Sequence, residues 1–117
     1  IAVSDNPHDI VYGVVYLMTQ VEKLELDVYE GAGIGYERRE VTVTGLHGVS
    51  IDAFTYYALE IDYLRQPYHW YKEHVLRGAL EHDFPPHYVE HIRTTPSIED
   101  HDPERHHREL SIYPEKP

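Results

Sequence analysis

From Asp9 to Met18 the chain alternates without a polar side. Ile10, Tyr12, Val14 and Tyr16 fall on one face and Val11, Gly13, Val15 and Leu17 on the other, the pattern of a strand central in its sheet. Gly13 leaves a gap in one face, where a ring or a ligand can approach closely. The period then changes. Thr19 followed three residues later by Glu22 is a capping-box signature, and Val21, Leu24 and Val28 recur at helical spacing, so a helix is predicted over 20–30 with Gly31 as its stop. Residues 31–35 read as a glycine-rich loop. Tyr36 to Thr44 and Ser50 to Leu59, rich in Tyr, Val, Ile and Thr, read as two strands joined by Gly45-Leu46-His47-Gly48 into a hairpin.

Beyond the hairpin, Pro67 is placed to open a second helix. Its predicted apolar face is Tyr68, Tyr71, Val75 and Ala79, widened by Leu76 and Leu80. Pro85-Pro86 breaks that pattern, His87 to Ile92 gives one more short helical segment, and Pro96 ends it. From Glu99 to Glu109 there is no apolar periodicity, and the segment reads as an extended or disordered arm. The expected organisation is one α+β domain over 1–95 with a charged, His-rich tail over 96–117.

Composition narrows the function classes. A chain of 117 residues can bury one modest core. A formal net charge of −11 argues against nucleic acid and against an anionic membrane surface. Without cysteine there is no disulfide, thiol nucleophile or thiolate-bound zinc, which fits a reducing, cytoplasmic compartment. No run is long and apolar enough to span a membrane, and Ile1-Ala2-Val3-Ser4-Asp5 is not a signal peptide. The chain has no initiator methionine and reads as an internal piece or a processed product. Its 11 tyrosines suit either a pocket lined by rings and hydroxyls or simply a tyrosine-rich sheet.

Two segments carry candidate chemistry. In Leu26-Asp27-Val28-Tyr29-Glu30-Gly31, Glu30 falls in the last helical turn, at the negative end of the helix dipole. With partial burial, that position would raise its pKa and fit it to exchange a proton near neutrality. The alternative is that Glu30 faces water and has no role. His87-Tyr88-Val89-Glu90-His91 matches a short zinc-peptidase pattern, but ten histidines in the chain make accidental pairs common. No metal is expected. The glycine loop follows a helix and precedes a strand, the reverse of a phosphate-cradling loop.

Five segments, in order, resemble the gamma-glutamylcyclotransferase-like superfamily: Val11-Tyr12-Gly13-Val14-Val15-Tyr16; Leu26 to Gly31, matching L-D-x-x-E-G; Tyr36; Thr55-Tyr56-Tyr57-Ala58; and Tyr71 with Gly78-Ala79 and Glu81-His82-Asp83-Phe84-Pro85. In the last segment Asp83 and Phe84 replace the usual Gly and Leu. The resemblance runs from about Asp9 to Ile92. It implies a small mixed, partly closed β-barrel with flanking short helices. It implies an enzyme that converts a γ-glutamyl amino acid or amine, glutathione among them, to 5-oxoproline and the free amine without a cofactor. Glu30 matches the catalytic carboxylate, Tyr36, Tyr56 and Tyr71 match pocket tyrosines, and Gly13 would keep room on the barrel wall.

The family's N-terminal Tyr-Gly-Ser-Asn loop has no counterpart here, because Tyr12-Gly13-Val14 is not that motif. Two further expectations follow. One is a catalytically inactive remnant that binds a ligand or protein. The other is a set of open sheet edges that pair with another chain or a second copy.

Overall fold

The computed structural model describes residues 1–2, 4–31, 33, 35–61 and 64–114. Its described elements are four helices and a two-stranded antiparallel sheet, an α+β composition. The sheet is open, so the described residues supply no barrel wall beyond one hairpin. The chain divides into two compact units, 1–63 and 64–117.

The first unit is built on the helix and hairpin that the sequence predicts. Helix α1 spans Gln20–Glu30, opened by the full Thr19–Glu22 capping box and closed by Gly31 at φ 65°. A left-handed residue is needed there, because the Gly31 N–H turns back to cap Asp27 and Val28 carbonyls. Strands β1 (Tyr36–Thr44) and β2 (Ser50–Ala58) pair in register from Tyr36 opposite Ala58 to Thr44 opposite Ser50. The turn between them is a short 3-10 segment, Leu46–Gly48, with His47 and Gly48 both at positive φ. Ile1 lies along the outer edge of β2. Its amino group donates to the Tyr56 carbonyl at 3.1 Å and its carbonyl accepts from the Ala58 N–H at 2.8 Å.

Two expectations for this unit are corrected. Residues 9–18 form no strand: they join no ladder, and Ile10, Val11, Val15, Tyr16 and Leu17 are exposed. A strand apolar on both faces needs a neighbour on each edge and cover on each side, and β1 and β2 pair only with each other among the described residues. The apolar stripe of α1 is also not its packing face. Val21, Leu24 and Val28 are exposed, whereas Lys23, Leu26, Asp27 and Glu30 are half-buried. Those four recur at the same three-and-four spacing, so the helix is amphipathic about a different axis, one set by polar partners on the hairpin.

The second unit holds α2 (His69–Glu81), α3 (Pro86–Thr94) and α4 (Pro103–Leu110). Ala79, Val89 and Ile92 form its apolar core, with Leu76, Phe84 and Tyr88 against them. Ala79 and Leu76 hold the core side of α2, whereas Tyr71, Val75 and Leu80 are exposed. At the end of α2 the chain reverses through Asp83 at φ 53°, so that Phe84 donates back to the Ala79 carbonyl at 2.9 Å and packs on the core. A parallel bridge between Tyr68 and Ile98 ties the start of α2 to the segment after α3.

The arm expected beyond residue 95 instead folds. Asp102 caps α4 by accepting from the Arg105 N–H, and Pro103 occupies the first turn. Just before it, the Asp100 carboxylate is fully buried. Arg105 pairs with both of its oxygens at 2.6 and 2.7 Å, and Trp70 donates to it at 2.8 Å. The segment is anchored by charge and hydrogen bonding rather than by an apolar stripe, which is why periodicity does not reveal it.

Candidate active site

The half-buried residues of α1 map onto one face of the hairpin. Tyr36, Arg38, Glu40 and Thr42 of β1 share a face with Ala58, Tyr56, Phe54 and Asp52 of β2, since opposed residues in an antiparallel pair project to the same side. Lys23 lies over the Phe54 ring, 4.9 Å from its centroid. One turn on, Asp27 meets the next row: it accepts from the Tyr56 hydroxyl at 2.6 Å and from Arg38 Nη1 at 2.6 Å. The helix therefore runs along β2 in the same direction. From Asp27 to Glu30 it advances about 4.5 Å. From Tyr56 to Ala58 the strand advances about 6.8 Å. Glu30 thus falls between the Tyr56 row and the Tyr36–Ala58 row, and its charge acts on the Tyr56 hydroxyl.

Of the five residues singled out from the sequence, this arrangement brings Glu30 toward Tyr56, and Tyr36 lies one row further along the same hairpin face. Glu30 is half-buried in the last helical position. Tyr56 is the most buried aromatic among the unit's described residues. Its hydroxyl is pushed up to about 12, first by burial, then by its hydrogen bond to Asp27, with the negative charge of Glu30 adding to the effect. Tyr36 is 38% exposed and holds the mouth of the loop, its carbonyl accepting from the Gly33 N–H at 2.7 Å.

The other two belong to other segments. Gly13 sits in the non-strand segment, and a Cβ added there would meet nothing within 4 Å. Tyr71 is on α2 in the second unit, edge-to-face with Trp70 at 6.0 Å between ring centroids.

Sequence reasoning missed Asp27 and Arg38. Asp27 stands within the motif that flagged Glu30, and Arg38 lies two residues from Tyr36 on the same strand face. The alternation of β1 carries that signal; the partner of the pair does not show in sequence. A cavity of about 560 Å³ opens further along, between Lys23, Glu40, Thr42, Asp52 and Phe54.

Among the described residues no group of three His, Asp or Glu side chains is placed to hold a metal, and Glu90 of the zinc-like pattern pairs with Arg93 at 2.9 Å. A second cavity, of about 330 Å³, lies in the second unit between His69, Glu73, Arg77, Leu110 and Tyr113 and includes none of the five residues. No described helix is long and apolar enough to cross a membrane.

Compared with known proteins, residues 10–92 match the sequence model of the AIG2-like family. No curated protein and no solved structure gives a significant match.

Proposed function

Because the chain belongs to the AIG2-like family, within the gamma-glutamylcyclotransferase-like superfamily, we propose that it is a γ-glutamyl cyclotransferase. It converts a γ-glutamyl amino acid or amine to 5-oxoproline and the free amine. Members of the family are typically cyclotransferase enzymes. The observation that carries the reading is Glu30, a half-buried carboxylate at the end of α1 whose charge acts on the buried Tyr56 hydroxyl.

The reaction asks little covalent chemistry of the protein. Glu30 takes a proton from the substrate α-ammonium. The freed amine attacks the γ-carbonyl carbon; the new C–N bond closes a five-membered ring and the carbonyl electron pair moves to oxygen. Glu30 delivers its proton to the leaving nitrogen and takes the extra proton from the cationic ring nitrogen; when the electron pair returns, the bond to the leaving nitrogen breaks, and the released amine takes that second proton from Glu30 to leave as an ammonium. Nucleophile and carbonyl belong to one molecule, so holding the folded conformer supplies much of the rate.

Tyr56 stays protonated throughout and is committed to Asp27, so its part is to shape the wall and fix Asp27. Tyr36, more exposed, is the tyrosine free to meet substrate at the mouth. Roles for Gly13 and Tyr71 rest on the family pattern alone.

The test is product stoichiometry in ¹⁸O-water. The purified chain should release 5-oxoproline and amine in equal amounts from γ-glutamyl-alanine or glutathione, with no label in the oxoproline. Labelled glutamate in place of oxoproline would mean hydrolysis, and absence of any product would remove the reading.

A further inference from the structure

We propose that Arg38 is the specificity residue for the substrate's α-carboxylate, binding it while Glu30 serves the α-amine on the same carbon. The proposal rests on the cyclotransferase reading but makes its own demand on the site. A γ-glutamyl group presents an ammonium and a carboxylate together, so the pocket must offer opposite charges side by side. In a chain of formal net charge −11, an incoming carboxylate is repelled unless a cation waits at the site.

The face beneath α1 carries two cations, Lys23 and Arg38. Both flank the Phe54 ring, Lys23 Nζ at 4.9 Å and the Arg38 guanidinium carbon at 5.9 Å from its centroid, but Lys23 lies seven residues before Glu30, about 10 Å away along the helix. Arg38 lies on β1 directly between the rows of Tyr36 and Glu40, opposite Tyr56.

The guanidinium is held but not used up. Nη1 donates to Asp27 at 2.6 Å, and Asp27 is itself fixed by the Tyr56 hydroxyl at 2.6 Å. The Arg38 side chain makes no other hydrogen bond among the described residues, and one third of it is open to solvent, at 33% exposure. An arginine has five N–H donors in a planar fork, so one contact to Asp27 leaves a second edge for another carboxylate. Asp27 acts here as a positioning residue. It stops the long side chain from wandering and so lowers the ordering cost of binding.

The test uses ligands that need no turnover. Binding of L-5-oxoproline and of its carboxamide, 5-oxoprolinamide, is measured by NMR titration on the parent chain, Arg38→Gln and Arg38→Lys, each first checked for a cooperative melt. The parent should prefer the carboxylate by about tenfold or more, the worth of a charge-assisted hydrogen bond. Arg38→Gln should bind the two alike. Arg38→Lys should keep only part of the preference, because an ammonium cannot reproduce the fork. On γ-glutamyl-alanine, Arg38→Gln should raise KM with little change in kcat, since the carboxylate is held equally before and during reaction.

A parent without preference, an Arg38→Gln chain that keeps it, or an Arg38→Lys chain that keeps it in full overturns the proposal. Arg38-dependent binding without turnover would retire the reaction and leave the subsite standing. Turnover without the preference would do the reverse.

Discussion

The two units bury opposite kinds of surface. In the second, Ala79, Val89 and Ile92 form an apolar core that a helix-packing argument would recognise, and the one deeply buried charge among the described residues, Asp100, is fully matched by Arg105, Trp70 and a backbone N–H. In the first, α1 turns Lys23, Asp27 and Glu30 to the hairpin and leaves Val21, Leu24 and Val28 in solvent. Asp27 there is satisfied by Tyr56 and Arg38, whereas the Glu30 side chain has no hydrogen-bond or ion-pair partner among the described residues to explain its placement by stability. A buried polar group is costly unless paired, so polar groups gathered on a packing face where an apolar one was at hand point to use rather than to stability.

The sole tryptophan, Trp70, donates to Asp100, so its fluorescence reports on the second unit, while the ring and amide signals of Tyr56 report on the first. The largest stability effect should come from Asp100→Asn, which strips Arg105 of its charged partner. The Trp70-monitored melting temperature should fall by several degrees. Arg105's hydrogen bonds hold the Asp100 carboxyl well below the usual carboxylate range. Its stabilisation is therefore complete above the unfolded carboxylate pKa and is lost as pH falls below about 4. Asp100→Asn should abolish that acid sensitivity, and an unchanged acid profile would show the pair to be incidental.

In the first unit Tyr56→Phe should cost about 1.5 kcal/mol by removing a hydrogen bond to a charged group. The Tyr56 hydroxyl is raised to about 12, so it holds its proton more tightly folded than unfolded. Its contribution is complete below about pH 10 and is lost as pH rises beyond that. Alkaline titration of the first unit's amide signals should show this in the parent and not in Tyr56→Phe. A matching change in Trp70 fluorescence would break the separation of the units.

The smallest effect belongs to Asp83, which adopts a left-handed conformation that favours glycine. Asp83→Gly should raise stability by about 0.5 kcal/mol, relief of strain being partly offset by a freer unfolded chain. Trp70-monitored denaturant unfolding would measure it, and a loss of stability would mean that the aspartate's own contacts outweigh the strain.

What the sequence made legible was local. The Thr19–Glu22 capping box and Gly31 set both ends of α1, and the turn residues between 44 and 50 set the hairpin. The motif around Glu30 placed the candidate carboxylate at the end of its helix. What stayed hidden depended on partners distant in the chain. The tilt of α1 follows from Asp27 meeting residues 11 and 29 positions away. Helix α4 is fixed by Asp100, Arg105 and Trp70, none of which registers in a hydrophobic period. Its cap, Asp102 before Pro103, is a local signal with no apolar stripe behind it. The strand expected over 9–18 has the composition of a central strand, and composition alone cannot supply neighbours.

The central claim is that the polar face of α1 is an active site with Glu30 as its proton carrier. The most direct measurement is 5-oxoproline formation from γ-glutamyl-alanine by the parent and by Glu30→Gln, with the melting curves of both recorded. A glutamine is nearly isosteric but cannot shuttle a proton, so the variant should melt with the parent and turn over about a hundredfold or more slowly. Equal rates from two equally folded chains would contradict the account.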